Sequence, residues 1–136
     1  MIAKTDDNMK PKLLIAENHP AMRARVASLL QHEFNVVASV AEGMAAVEAT
    51  SQFLPDLIVL DVGMPGLDGP EVAQRIKSQG CNVKIVFMSV SMDLNQVTAC
   101  LAAGGDAYVS KMRMHTDLIY AITEVLAGRR FVSPDE

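Results

Sequence analysis

Four apolar runs of the sequence each end close to polar residues whose side chains could act together in one site. Glu17 and Asn18 follow the run LLIA, Asp61 follows LIVL, Ser89 follows IVFM, and Lys111 comes shortly after AYV. Two carboxylates and an amide oxygen suit a hard divalent cation such as Mg²⁺, which prefers oxygen ligands. An ammonium and a hydroxyl can bind phosphoryl oxygens by charge and by hydrogen bonding. This chemistry leaves Asp61 as the natural nucleophile.

Each of these residues alone also has an ordinary structural explanation. Glu17 and Asn18 can serve as loop or capping residues, Asp61 as a turn former, Ser89 as a strand-end hydroxyl and Lys111 as a solvated charge. Their joint placement is harder to explain in that way, because a binding site requires several polar groups to converge at one edge of the fold. The pattern as a whole therefore favours a functional site.

The apolar runs themselves predict the strands of a parallel sheet. They are unbroken rather than alternating, which is typical of strands that helices cover on both faces. The predicted strands are residues 13–16, 36–38, 57–60, 85–88 and, more weakly, 107–109.

Segments with helical periodicity separate the predicted strands. Helices are expected from Pro20 to about Leu30, from Glu42 to Gln52 with Met44 and Val47 buried, and from Pro70 to Ser78. Two more are expected around Leu94, Val97 and Leu101, and from Leu118 to Leu126.

Five repeats of strand and helix indicate an α/β fold. It is a five-stranded, doubly wound parallel sheet of the flavodoxin-like (βα)5 type, with strand order 2-1-3-4-5. The ligand crevice of such a sheet lies at the carboxyl ends of strands 1 and 3.

Composition limits the remaining classes of function. A chain of 136 residues with 50% hydrophobic side chains corresponds to one domain, and its net charge of −4 argues against direct nucleic-acid binding. Two cysteines without metal-site spacing fit a reducing compartment. No apolar run approaches the ~18–20 residues of a membrane span, so we expect a cytoplasmic protein without membrane contact.

The domain should span residues 12–128, with a polar tail at 1–11 and a linker or C-terminal tail at 129–136.

The segments LLIAENHPAMR, LIVLDVGMPGLDGPEV, VFMSVS and AYVSK together resemble the receiver domain of bacterial response regulators. The resemblance covers about residues 12–128, with four motifs in the right order. The ENHP and AGRRFVSP segments are most similar to receivers of LuxR-type DNA-binding regulators. The chain ends where the linker of such regulators begins, which fits an excised domain and a single-domain regulator alike.

The resemblance implies a role for each candidate residue. Asp61 would accept a phosphoryl group from a histidine kinase or phosphotransfer protein. Glu17, Asn18, Asp61 and the backbone carbonyl of Gly63 would hold Mg²⁺. Ser89 and Lys111 would contact the phosphoryl group, and Ser89 and Tyr108 would act as switch residues for the surface of helix 4, strand 5 and helix 5.

The resemblance also implies partners and a class of protein. Such a domain is a signalling domain rather than an enzyme, and DNA would be bound by a further C-terminal domain. Whether it forms a homodimer stays open.

Two residues depart from the pattern of the family. Asn18 stands where most members have a second acid, which predicts weaker Mg²⁺ binding because a charge beside the ion is lost. Met112 follows Lys111 where many receivers have a cis proline. Asn18 keeps open a receiver that acts without phosphorylation as an interaction or dimerisation module. A flavodoxin-like cofactor binder is disfavoured, because the loop after strand 1 is acidic and only 4% of the residues are aromatic.

Overall fold

The computed structural model describes residues 10–134, in which strands and helices alternate along the chain. The predicted tail at residues 1–11 lies mostly outside this range. The first five strands are β1 (Lys12–Ala16), β2 (Asn35–Val40), β3 (Leu57–Asp61), β4 (Lys84–Ser89) and β5 (Ala107–Ser110). The helices are α1 (Pro20–Leu30), α2 (Gly43–Phe53), α3 (Gly69–Ser78), α4 (Leu94–Ala102) and α5 (Met114–Leu126), with a short 3-10 helix at Lys111–Arg113.

The sheet is parallel throughout but has one strand more than the sequence predicts. Its order is β2-β1-β3-β4-β5-β6, where β6 is the two-residue strand Phe131–Val132 beside β5. The order of the first five strands is as predicted, whereas the expected total of five is wrong. Two residues are too short for a periodic signal, and β6 is held by contacts that only the folded chain provides: the Ser133 N–H donates to the Tyr108 carbonyl at 2.9 Å.

Helices cover both faces of the sheet, as the unbroken apolar strands require. Alternate strand residues such as Leu14 and Phe87 pack with α2, α3 and α4, and their neighbours such as Ile15 and Met88 pack with α1 and α5. The two layers bury nearly all of β1, β3 and β4, and the polar residues of the site lie at the carboxyl ends of these strands.

Two apolar residues of the predicted helices, Met44 and Leu94, are exposed. Met44 is 44% exposed, because α2 begins at Gly43 and turns Ala46 and Val47 toward the sheet instead. Leu94 is 75% exposed because it is the first residue of α4, where Val97 and Cys100 are the buried pair. The prediction that Met44 is buried is therefore wrong.

The loop after β3 brings α3 against the end of that strand. Gly66 has a φ of +80°, a conformation that side chains with a Cβ rarely adopt. A Cβ at Gly69 would lie 2.9 Å from the Cα of Val62, so only glycine allows this approach. Asp68 then caps α3, because its side chain accepts from the Glu71 N–H and the Glu71 side chain accepts from the Asp68 N–H. This packing fixes the backbone beside Asp61.

Candidate functional site

The predicted site residues converge at the carboxyl edge of the sheet. Asp61 and Ser89 are the last residues of β3 and β4. Glu17 follows β1 directly, and Lys111 follows β5 as the first residue of the 3-10 helix. Because neighbouring parallel strands end at the same edge, one register of the sheet positions all four side chains.

Lys111 links the two carboxylates of the site. Its Nζ lies 2.9 Å from Glu17 Oε1 and 3.2 Å from Asp61 Oδ1. The side chains of Lys111, Glu17 and Asp61 are only 9%, 3% and 5% exposed. Two carboxylates therefore share one ammonium in a poorly solvated place, where a charge acts strongly.

Backbone N–H groups hold the Asp61 carboxylate in its orientation. The Gly63 N–H donates to Oδ1 at 3.1 Å, and the Asn18 N–H lies 3.5 Å from Oδ2. Asn18 and Gly63 are thus beside Asp61, as predicted, although these contacts are made by their N–H groups. Ligation of a metal by the Asn18 side chain and the Gly63 carbonyl stays a prediction.

Residues after β1 that the sequence argument did not use complete the acidic end of the site. His19 donates its backbone N–H to Glu17 Oε2 at 3.0 Å, and its Nδ1 lies 3.4 Å from the same oxygen. The Arg23 Nη1 donates to the Glu17 carbonyl at 2.8 Å, which braces the loop from α1. His19 is not among the predicted site residues, and its place two residues after Glu17 is the signal in the sequence that points to it.

The donor set at this edge fits a hard divalent cation. Potential ligand atoms of Glu17, His19 and Asp61 lie within 4.8 Å of one another. Two of the three are carboxylates, the ligand type that Mg²⁺ prefers, and Mg²⁺ commonly binds one or two carboxylates and keeps several waters. The two carboxylates share a single lysine, so a cation at the same place would add a favourable contact.

Ser89 and Tyr108 belong to a second hydrogen-bonded group beside the carboxylates. Ser89 Oγ accepts from the Ser91 N–H at 3.0 Å and donates to Gln96 Oε1 at 3.2 Å. The Tyr108 hydroxyl lies 2.6 Å from the Ser91 carbonyl and 2.9 Å from Gln96 Oε1. Tyr108 is 0% exposed, so its ring belongs to the core and its hydroxyl is held by these partners rather than by bulk water. Burial raises the pKa of Tyr108.

The Asp61 carboxylate and the Ser89 hydroxyl line one cavity of about 300 Å³. Asp61, Ser89 and Lys111 line it together with Gly63 and with Gln96 from α4. Gln96 was not predicted, because in the sequence it is one polar residue of an amphipathic helix. The cavity therefore places the Asp61 carboxylate beside Ser89 and Gln96, whose hydrogen bonds extend to α4 and β5.

Comparison with known proteins identifies the family. The response regulator receiver domain family matches residues 13–123 of the chain. The chain belongs to this family. The receiver is 31% identical to the nitrate/nitrite response regulator protein NarL of Escherichia coli strain K12 over 129 residues, which are 93% of this chain and 60% of that protein.

Solved receivers share the fold of this one. The crystal structure of a two-component response regulator of the LuxR family from Aurantimonas sp. SI85-9A1 matches with a TM-score of 0.89 and 27% identity, covering 93% of this chain and 91% of that one. The signal receiver domain of a response regulator NarL from Mycobacterium tuberculosis matches with a TM-score of 0.85 and 29% identity, covering 88% and 98%. The resemblance to LuxR-type receivers is therefore confirmed.

The receiver spans about three fifths of the length of the curated relatives that it matches. Within residues 10–134, no helix has the length and apolar character needed to cross a membrane.

Proposed function

We propose that the receiver accepts a phosphoryl group on Asp61 from a phosphohistidine of a partner histidine kinase or phosphotransfer protein. One observation carries this proposal: the Asp61 carboxylate is buried at a strand end, faces a cavity and is held by Lys111 and by the Gly63 N–H. In the transfer, a carboxylate oxygen of Asp61 forms a bond to phosphorus while the phosphorus–nitrogen bond breaks. The electron pair of that bond stays on the imidazole nitrogen, and an acyl phosphate remains on Asp61.

The other site residues stabilise the charge that arrives with the phosphoryl group. The Lys111 ammonium reaches Asp61 Oδ1 and can bond to a phosphoryl oxygen, as can the Ser89 hydroxyl after a change of partner. Glu17, Asp61, Asn18 and the Gly63 carbonyl would hold Mg²⁺. When bound, this ion neutralises negative charge between the carboxylates and the incoming phosphoryl group.

Phosphorylation would change the surface formed by α4, β5 and α5. It replaces one charge on Asp61 by a bulkier group with nearly two, which Lys111 and Ser89 can approach. Ser89 shares its hydrogen-bonded group with Tyr108 on β5 and with Gln96 on α4, so a movement of Ser89 changes both elements. This surface would then control a C-terminal DNA-binding region, as a solved DNA-binding response regulator of the LuxR family suggests.

Intact mass measurement after incubation with Mg²⁺ and a small-molecule phosphodonor tests the acceptor. We expect the wild type and Asp56→Asn to gain one phosphoryl group and Asp61→Asn to gain none. Asp56 is a matched control, because it is an exposed carboxylate at the opposite edge of the sheet that accepts from the Lys12 N–H. Absence of a gain in the wild type at high Mg²⁺ would contradict the proposal and favour an interaction module that acts without phosphorylation.

A further inference from the structure

Gln96 stands between the Ser89 and Tyr108 hydroxyls. It is the third residue of α4, and its Oε1 lies 3.2 Å from Ser89 Oγ and 2.9 Å from the Tyr108 hydroxyl oxygen. Its side chain also lines the cavity that contains Asp61. One amide group therefore contacts the hydroxyl nearest the acceptor and the buried tyrosine of β5.

The protons in this group are few enough to be assigned one by one. A hydroxyl has a single proton to donate. Ser89 gives its proton to Gln96 Oε1 and accepts from the Ser91 N–H. The proton of Tyr108 has a second and shorter acceptor, the Ser91 carbonyl at 2.6 Å. Gln96 is therefore the partner that holds the Ser89 proton, whereas Tyr108 keeps an acceptor without it.

We propose that Gln96 is a positioning residue that holds the Ser89 hydroxyl in the resting domain, so that a phosphoryl group on Asp61 has to compete with Gln96 for it. This inference rests on the proposed function of Asp61. A charged phosphoryl oxygen is a stronger acceptor than a neutral amide oxygen, so Ser89 changes partner when the phosphoryl group is present. Gln96 then loses one of its two hydroxyl contacts at the start of α4, which is how that helix senses the acceptor.

A double-mutant cycle measured by unfolding tests the resting contact without any phosphoryl chemistry. The cycle combines Gln96→Met, which keeps the length of the side chain but replaces the amide oxygen by a thioether, a much weaker acceptor, with Ser89→Ala. The two substitutions should be coupled by about threefold to tenfold in the unfolding equilibrium constant, as one hydrogen bond provides. Additive effects would overturn the contact. Gln96→Ala is the second variant, and its coupling to Ser89→Ala should have the same sign.

The rate of phosphoryl gain, followed by intact mass at fixed donor and Mg²⁺ concentration, tests the competition. Gln96→Met should accelerate the gain by about threefold to tenfold in the Ser89 protein and should have no effect in the Ser89→Ala protein. Thr98→Ala, an exposed change on the same helix, should leave the rate unchanged. A merely structural role of Gln96 would change the rate equally in both backgrounds.

The outcomes separate the inference from the function on which it rests. If the wild type gains a phosphoryl group but Gln96→Met acts equally with and without Ser89, the positioning role is wrong and the function of Asp61 stands. If the wild type gains none, the proposed function fails and the competition fails with it, while the unfolding cycle still decides whether Gln96 holds Ser89.

Discussion

Two buried aspartates, Asp61 at the end of β3 and Asp117 in α5, have very different partners. Asp117 in α5 accepts from the Arg113 Nε at 2.8 Å, from the Ser133 Oγ at 2.7 Å and from the Thr116 Oγ1 at 3.0 Å. Asp61 has a similar exposure, 5% against 8% for Asp117, but shares the Lys111 ammonium with Glu17. Asp117 therefore has three side-chain donors of its own, whereas Asp61 shares one lysine with a second carboxylate.

The pairing of Asp117 explains what that residue does. Burial by itself raises the pKa of Asp117, but the hydrogen bonds from Arg113, Ser133 and Thr116 outweigh it and lower the pKa. Ser133 Oγ also accepts from the Ser110 N–H at 3.0 Å, so the same group fastens the segment after β6 to the end of β5. Asp117 is a structural acid, whereas Asp61 lies beside a second carboxylate, Glu17, with which it shares Lys111, an arrangement that favours a cation.

Exchanging each acid for its amide gives the largest expected difference between the two regions. Asp117→Asn should lower the free energy of unfolding by about 2–3 kcal/mol, because hydrogen bonds to a charged group are lost and an amide N–H₂ faces the Arg113 donor. Asp61→Asn should change it by less than about 1 kcal/mol, because it removes one of two like charges that share Lys111. Urea unfolding of the two variants measures both values. Equal losses would show that the two acids have the same structural weight.

The stability that Asp117 contributes should depend on pH in one direction. Its pKa is lowered in the folded protein, so its contribution is fully present above the unfolded pKa of about 3.9 and is lost as the pH falls through the folded value. The stability difference between the wild type and Asp117→Asn should therefore be largest near neutral pH and shrink below about pH 4. Urea unfolding at several pH values measures it. A difference that stays constant down to pH 3 would contradict the pairing described here.

Adding an acid to the site should increase its affinity for Mg²⁺. Asn18→Asp places a second carboxylate directly after Glu17, and its N–H already lies 3.5 Å from Asp61 Oδ2. We expect Mg²⁺ to bind about tenfold more tightly, corresponding to ~1.4 kcal/mol, because attraction to the ion outweighs the cost of another partly buried charge. Isothermal titration calorimetry with Mg²⁺ measures the gain in affinity. Asn82→Asp, at the opposite end of the sheet, is the control, and an equal affinity of Asn18→Asp and wild type would contradict the prediction.

How far the sequence predicts this molecule depends on whether a feature is local. The buried strands, their order and the placement of Asp61 and Lys111 follow from apolar runs and from what comes after them. The burial of Tyr108 and the role of Asp117 do not, because both depend on partners distant in the chain. Ser133 meets Asp117 across 16 positions. In the sequence, neither Asp117 nor Ser133 carries a signal that distinguishes it from other polar residues.

The site shows the same division. Its carboxylates, lysine and serine are strand-end residues, and the topology alone brings strand ends together. Gln96 reaches the cavity from a helix, where only the packing of α4 against β5 decides which polar side chain points inward.

A third acidic residue, on the surface of α5, should give the smallest effect. Glu124 accepts from the Arg129 Nε and Nη2 at 2.8 and 3.0 Å, a two-pronged ion pair with good geometry, and hydrogen bonding from Arg129 lowers the pKa of Glu124. The Arg129 side chain is 61% exposed, so water and salt screen the pair as they screen surface ion pairs generally. Glu124→Gln should therefore leave the Tm within experimental error at physiological salt, in contrast to Asp117→Asn, which removes a similar arginine contact from a buried place. Differential scanning calorimetry of both variants in one buffer compares them. A loss in Glu124→Gln as large as that in Asp117→Asn would mean that hydrogen-bond geometry, rather than burial, sets the strength of these acid–arginine pairs.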